Sequence, residues 1–397
     1  MNNYFLIVGA GFGQVPAIES CRALGLKTIV VDQAPSAPGM SLADIALPVD
    51  IIDIDRVVAI AKKYKVSGVM TMQSDIGVPT VGSVVDALSL PGCGRAVADR
   101  CSNKILTRKA FSVRGVPQPK YRSVANEIEA VEAVNAIGLP CIIKAPDNSG
   151  SRGVVRVDTK TKVSEAYLEA MKHTRGKDVL VEEFIEGLEI GAQAFSVGGR
   201  CVKVLLHDDE LSAPPYMIPV GHAFPSTLQG KALIKAEKAV RECVEALGIE
   251  DGPSNIDLII DLYGEPRIIE VGARIGATCL PELVFYHTGI DWTRTAIQAA
   301  CGLKSDLESR WFQACAAYIL QAPKDGIFHS YSILTELSDH KDLLEWEVSV
   351  SQGDRVSCLR KGTDRIGKVV TRATTTEGAK KLAQNFRNSL QWDIQEA

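Results

Sequence analysis

Two acidic residues carry the sharpest chemical argument in this chain. The stretch Asn255-Ile256-Asp257-Leu258-Ile259-Ile260-Asp261 reads as an apolar strand, and Arg267-Ile268-Ile269-Glu270 reads as its returning partner. If an even loop centred on Tyr263 and Gly264 closes this hairpin, Asp257 stands opposite Glu270, whereas an odd loop throws the two onto opposite faces. Carboxylates that face each other across adjacent strands, with Cβ atoms ~5 Å apart, repel one another. A hard cation such as Mg2+ removes that repulsion and takes such oxygens readily beside phosphates. Arg274, four residues past Glu270, adds a positive charge suited to an oxyanion or a carboxylate.

Three other clusters could do chemistry. Lys144 ends the apolar run 140–143 and leads straight into Asp147-Asn148-Ser149-Gly150-Ser151-Arg152-Gly153. Small residues let successive N–H groups turn inward around an anion, with a lysine at the base as point charge, so phosphate is the natural guest; the bland alternative is a surface turn. Val181-Glu182-Glu183-Phe184-Ile185-Glu186-Gly187-Leu188-Glu189 starts as a strand, breaks at Gly187 and resumes at Ile190. The unpaired backbone of such a break suits a planar heterocycle with a carboxylate nearby for ribose, and the alternative is a solvated acidic hairpin. Gly9, Gly11 and Gly13 follow a strand and open a helix, with Asp32 where a dinucleotide fold places its ribose acid. Their spacing is G-x-G-x-G, which fits a tight turn holding nothing at least as well.

The elements that must position these residues follow from periodicity. Over 1–98, short β-branched runs alternate with amphipathic stretches, a parallel βαβ pattern. From 99 the grammar changes: a helix near 103–115, another over 125–137, the strand bearing Lys144, more strands, a long helix at 229–247 and the acidic hairpin. The tail beyond 302 has shorter strands and a closing helix near 376–386. At 397 residues, two or three domains are expected. A composition of 46% hydrophobic and 23% charged residues describes a globular chain. A net charge of -4 offers no basic footprint, so nucleic acid is not an expected partner. No run approaches ~18 apolar residues and the N-terminus lacks the flanks of a signal peptide, so neither membrane nor export is expected, and the cytoplasm is the expected location. The ten cysteines lack any C-x-x-C pair and are read as reduced thiols.

Taken in order, these pieces resemble the ATP-grasp superfamily, the amino-acid ligases, biotin carboxylase and the large chain of carbamoyl-phosphate synthetase being most similar. The resemblance implies an α/β and α+β chain: a Rossmann-like pre-ATP-grasp domain at 1–98, an ATP-grasp domain at 99–302 in subdomains 99–178 and 179–302, and a small α+β domain at 303–397. It implies that Lys104 and Lys144 hold nucleotide phosphates and that Ser149, Gly150, Ser151 and Gly153 form a lid over them. Glu182 with the backbone of Phe184 and Ile185 would frame adenine, and Glu189 would take the ribose hydroxyls. Asp257 and Glu270 would hold Mg2+, one ion or two and with Mn2+ as a substitute, while Arg274 and Lys144 act on the transferred phosphoryl group. His207, Asp209, His222 and Glu282 are the nominated substrate-side residues. The family's E-x-N-x-R reads Glu270-Val271-Gly272-Ala273-Arg274 here, so the metal-binding asparagine is missing.

The activity so implied is ATP-dependent: γ-phosphoryl transfer to a small carboxylic acid gives an acyl phosphate, which an amine attacks to give an amide, ADP and phosphate. A bicarbonate-using carboxylase, a non-catalytic ATP-binding subunit and an NAD-linked oxidoreductase are the alternatives. Relatives often form homodimers, which sets that expectation here.

Overall fold

The computed structural model describes residues 3–148, 150, 152–213, 216–333 and 338–396. The first domain is a parallel sheet in the order Ile45–Pro48, Lys27–Asp32, Tyr4–Val8, Gly68–Met70, with the helices Val15–Ala23, Ile54–Tyr64 and Val78–Leu88 around it. Its central strands are buried on both faces, which is why they read as continuous apolar runs. The glycine-rich turn after Val8 is closed from within. Asp32 accepts the Ala10 and Ala34 amides at 2.8 and 2.9 Å, and the buried Gln14 donates to the Met72 carbonyl at 2.5 Å. The acid expected on a ribose is thus used inside the loop, in line with the tight-turn reading.

A small antiparallel sheet follows, in the order Tyr121–Val124, Val179–Glu183, Cys141–Lys144, Val154–Val157. The helices Glu127–Ile137 and Val163–Met171 cover it over a core that includes Val124, Ala130, Val134, Ile143, Tyr167 and Val181. The strand Val179–Glu183 lies inside this sheet, so a subdomain division at 178/179 separates it from its own partners.

The large sheet has eight antiparallel strands, in the order Pro266–Gly272, Gly252–Asp261, Gly187–Val197, Arg200–Leu211, Pro219–Phe224, Ala314–Gln321, Arg365–Ala373, Leu343–Val348. The 18-residue helix Gly230–Leu247 buries Ala236, Val240, Val244 and Leu247 against the Ile190, Ile256 and Ile268 side of this sheet. The segment after 302, expected as a separate domain, supplies three strands to this sheet through the pairing of Pro219–Phe224 with Ala314–Gln321. Its remaining strands, Arg355–Val356, Gly326–Ser332 and Gln391–Gln395, form a small sheet of their own, and the helix Thr376–Ser389 packs its buried Ala379, Ala383 and Phe386 over a core with Tyr318, Leu320 and Val369. All ten cysteines are free. Among the described residues, no helix is long and apolar enough to cross a membrane.

Candidate active site

The floor of the site is the acidic hairpin. Its loop is odd: Ile260 pairs with Pro266 and the turn is closed by Asp261 donating to the Glu265 carbonyl at 2.9 Å. Regular pairing from that loop would place Ile269 opposite Asp257. One extra residue at Ile269 forms a β-bulge instead, and beyond it Asp257 faces Glu270, Ile256 faces Val271 and Asn255 faces Gly272. The acids therefore meet as expected, by a bulge and not by an even loop. Arg108, fully buried, supplies what the bulge disrupts: its Nη1 and Nη2 donate to the Ile268 and Ile269 carbonyls at 3.1 and 2.8 Å. Asp257 opens to the cleft. Enclosure by the surrounding protein, then the Glu270 carboxylate, then Asp209 push its carboxyl up to about 7.

Two lysines and a glutamate stand over this floor. Asn103 caps the helix Lys104–Arg114 by accepting the Ile105 and Leu106 amides, which fixes Lys104 in the first turn. The Lys104 ammonium then donates to Glu270 Oε1 and to the Asn148 carbonyl at the base of the glycine-serine loop, both at 2.8 Å. Lys144 and Arg108 share one carboxylate: Glu182 takes Lys144 Nζ at 2.6 Å on one oxygen and Arg108 Nε at 2.6 Å on the other. Burial alone would raise the Glu182 carboxyl, but Arg108 and then Lys144 outweigh it and hold it down at about 2. Burial lowers the Lys144 ammonium below the ordinary lysine range, Glu182 opposing and Arg108 and Lys104 reinforcing. Glu182 thus serves first as the anchor of the two cations. Arg108 lies one turn after Lys104 on the same helix face, the only sequence signal that could have nominated it.

The same sheet face continues across the strands. Gly191 lies next to Asp257 on one side and His207 on the other. A Cβ on Gly191 would come within 2.1 Å of the His207 ring, so the imidazole leans over this glycine toward the acids. Asp209, two residues on and on the same face, accepts His207 Nδ1 at 2.7 Å and His222 Nδ1 at 2.5 Å. Burial would raise the Asp209 carboxyl, but the two histidines hold it well below the usual range. Gln193 lies between the histidines and the acids: its Nε2 is 3.4 Å from His207 Nε2 and donates to Asn255 Oδ1 at 2.7 Å, and Asn255 donates to Asp257 at 3.0 Å. Glu189 sits two residues before Gly191 with its side chain open to the cleft, and the enclosing walls, then Asp209, raise its carboxyl.

Other nominated residues are placed differently. Arg274 does not project alone into the cleft, because Asp75 of the first domain takes its Nε at 2.8 Å and its Nη2 at 3.1 Å. The strand expected to break at Gly187 ends at Glu183 and restarts at Gly187. The Phe184 amide is spent on the Pro140 carbonyl at 3.3 Å and its ring lies under the Arg156 guanidinium at 4.1 Å; among the described residues, its carbonyl and that of the half-buried Ile185 are left for a ligand. Glu282 binds Lys368 at 3.2 Å, joining a network with Glu345 and Tyr286 and not the lysine-acid cluster. Gly150 and Gly153 flank a loop held at Asp147 by the Arg175 amide (2.9 Å) and at Asn148 by the His173 carbonyl (3.1 Å), whereas Ser149 and Ser151 lie outside the described residues.

Comparison with known proteins gives the family and the fold. Residues 137–282 fit the model of the ATP-grasp domain and residues 318–395 that of the L-amino acid ligase C-terminal domain 2. A D-alanine--D-alanine ligase from Desulforamulus reducens is 32% identical over 219 residues, covering 50% of this chain and 68% of that one. The chain belongs to the ATP-grasp ligases. As such, it shares its fold with an L-amino acid ligase from Bacillus licheniformis, at TM-score 0.86 and 23% identity over 99% of both chains. A phosphoribosylglycinamide synthetase from Anaerococcus prevotii superposes at TM-score 0.84 with 27% identity, over 99% of this chain and all of that one. ATP-grasp ligases use ATP with divalent metal ions. The donor set here fits such an ion: two opposed carboxylates, one raised by its enclosure and then by the other, with Lys104 bonded to Glu270.

Proposed function

We propose that this ATP-grasp ligase activates a small carboxylic acid, an amino acid being the favoured class, by phosphoryl transfer from ATP, and joins it to an amine with release of ADP and phosphate. The observation that carries this reading is the meeting of Asp257 and Glu270 across adjacent strands with Lys104 bonded to Glu270. Asp257 and Glu270 would hold Mg2+, which supplies charge neutralisation at the phosphates when bound. Lys104 and Lys144 come to the same region from two different elements, a helix start and a strand end, and their charge favours a triphosphate there. The acyl phosphate formed by transfer to the acid needs protection from water, and the loop 147–153, which begins beside the Lys104 contact at Asn148 and leads into the strand Val154–Val157, would give it. The amine then displaces phosphate. Glu189 and the His207–Asp209–His222 group lie further along the same sheet face, where they would meet ribose or substrate. The cytoplasm is the setting proposed for this chemistry, and a homodimer the proposed assembly.

The test is ADP release from ATP with Mg2+ across pools of amino acids and small carboxylic acids, with and without an added amine. The wild-type chain is expected to release ADP with at least one acid-amine pair, and Lys144→Ala and Glu270→Ala to lower that rate by about a hundredfold or more while circular dichroism stays unchanged. Undiminished ADP release from either variant would remove the proposal.

A further inference from the structure

A divalent ion beneath a triphosphate takes six or more oxygen ligands, and Asp257 with Glu270 supplies few of them. The residue two past Glu270 offers no side chain, because it is Gly272. The space beside that glycine is occupied. A Cβ built on Gly272 would stand 2.9 Å from Asp75 Oδ1 and 3.2 Å from Arg274 Cζ. An asparagine's amide oxygen lies two bonds, roughly 2.4 Å, from its own Cβ, so the Asp75 oxygen stands close to the radius such a group would reach.

Asp75 is also built to stay there. Its loop, between Gly68–Met70 and Val78–Leu88, is docked on the large-sheet side by a parallel bridge from Met72 to Ile275 and by the Gln73 amide donating to the Ile275 carbonyl at 3.0 Å. The Arg274 fork then fixes the plane of the carboxylate while leaving a second lone pair on each oxygen. Asp75 and Glu270 line one cavity of about 270 Å3 between the first domain and the loop at Asn148. Two other acids line it, but Asp99 is paired with Arg95 and Asp147 accepts the Arg175 amide, both away from the hairpin.

We propose that Asp75 is the oxygen ligand that Gly272 cannot be, shared with Glu270 in holding a divalent ion, and that Arg274 is the residue that positions it. The first domain then contributes directly to the metal site, and a chain with glycine at 272 keeps a full set of oxygens. The ligase reading enters only through the presence of the ion.

The experiment is Mn2+ binding to the full chain with a non-hydrolysable ATP analogue, followed by electron paramagnetic resonance and calorimetry, with thermal unfolding in parallel. Asp75→Ala is expected to weaken Mn2+ about tenfold or to remove one ion. Asp75→Ala combined with Gly272→Asn is expected to recover most of that loss, because the vacated space admits the amide. Asp75→Asn, which keeps the shape and one oxygen, is expected to fall between wild type and Asp75→Ala, and it carries the test if Asp75→Ala does not fold. Mn2+ affinity and ion number unchanged in the folded Asp75 variants, or no recovery in the double variant, would overturn the assignment. A wild-type chain that binds no Mn2+ with the nucleotide would instead strike the reading of Asp257 and Glu270.

Discussion

Glu182 is the residue on which both buried cations depend. With one oxygen on Arg108 and the other on Lys144, it gives a counter-charge to two cations that burial would otherwise penalise. Replacing it by glutamine leaves both cations facing a neutral amide, and a loss of about 3 kcal/mol is expected for breaking so buried a network. The sign of the pH dependence follows from the depressed carboxyl. Held at about 2 in the fold against roughly 4.3 in the unfolded chain, Glu182 contributes stability that is present above the unfolded value and lost as pH falls toward 2. The gap in urea midpoint between wild type and Glu182→Gln is therefore expected to be widest at neutral pH and to narrow between about pH 4 and 2. A gap that stays constant over that window would show that Glu182 is not ionised between its partners. The sequence pointed to Lys144, Glu182, Asp257 and Glu270 because strand ends and opposed charges leave local signals. Arg108 left only its spacing one turn after Lys104, and Asp75 left nothing, since their partners lie 74 and 199 residues away.

At the scale of elements, the strands and helices bearing the site follow from periodicity, while their pairing depends on details periodicity does not carry. The helices Lys104–Arg114 and Gly230–Leu247 and both strands of the acidic hairpin lie within about three residues of their expected positions. The bulge at Ile269 does not show in the sequence, because an isoleucine there looks like any strand residue. Short elements such as the strand Ile45–Pro48 were equally invisible, its four residues being too few to show a period. Gly191 gives the sharpest test of how the strands share their work. It lies between Asp257 and His207, and its missing side chain is the space into which the His207 ring leans. Gly191→Val sets branched carbons where the imidazole now stands, and neither the strand backbone nor the ring, tied to Asp209 at 2.7 Å, can give by the 1 Å or so required. The expected result is a folded protein destabilised by about 1 to 3 kcal/mol, with ADP release lowered about tenfold or more. Wild-type turnover from Gly191→Val would show that the histidine group does not face the reacting end of the cleft.

At the scale of the whole molecule, the continuity of the large sheet decides how the chain can be divided. The change in strand length after residue 302 suggested an independent closing domain, and the model match at 318–395 sets the same stretch apart as a unit of its own. Sequence grammar registers such a unit because its strands and helix are local, whereas the pairing of Pro219–Phe224 with Ala314–Gln321 spans about a hundred residues and leaves no periodic trace. That pairing makes the tail structural. Removing everything after residue 302 would uncover the edge of Pro219–Phe224 and with it the apolar face at Ala223 and Phe224, and would leave Glu282 without Lys368. Unpaired apolar edges aggregate, and His222 lies on this strand, so its hold on Asp209 would loosen along with the edge. The fragment 1–302 is accordingly expected to be insoluble or to lack near-ultraviolet circular dichroism, and to regain nucleotide binding only when residues 303–397 are supplied in trans. A soluble 1–302 fragment that binds an ATP analogue as tightly as the full chain would show that the tail is an accessory and that the ATP-grasp sheet is complete at five strands.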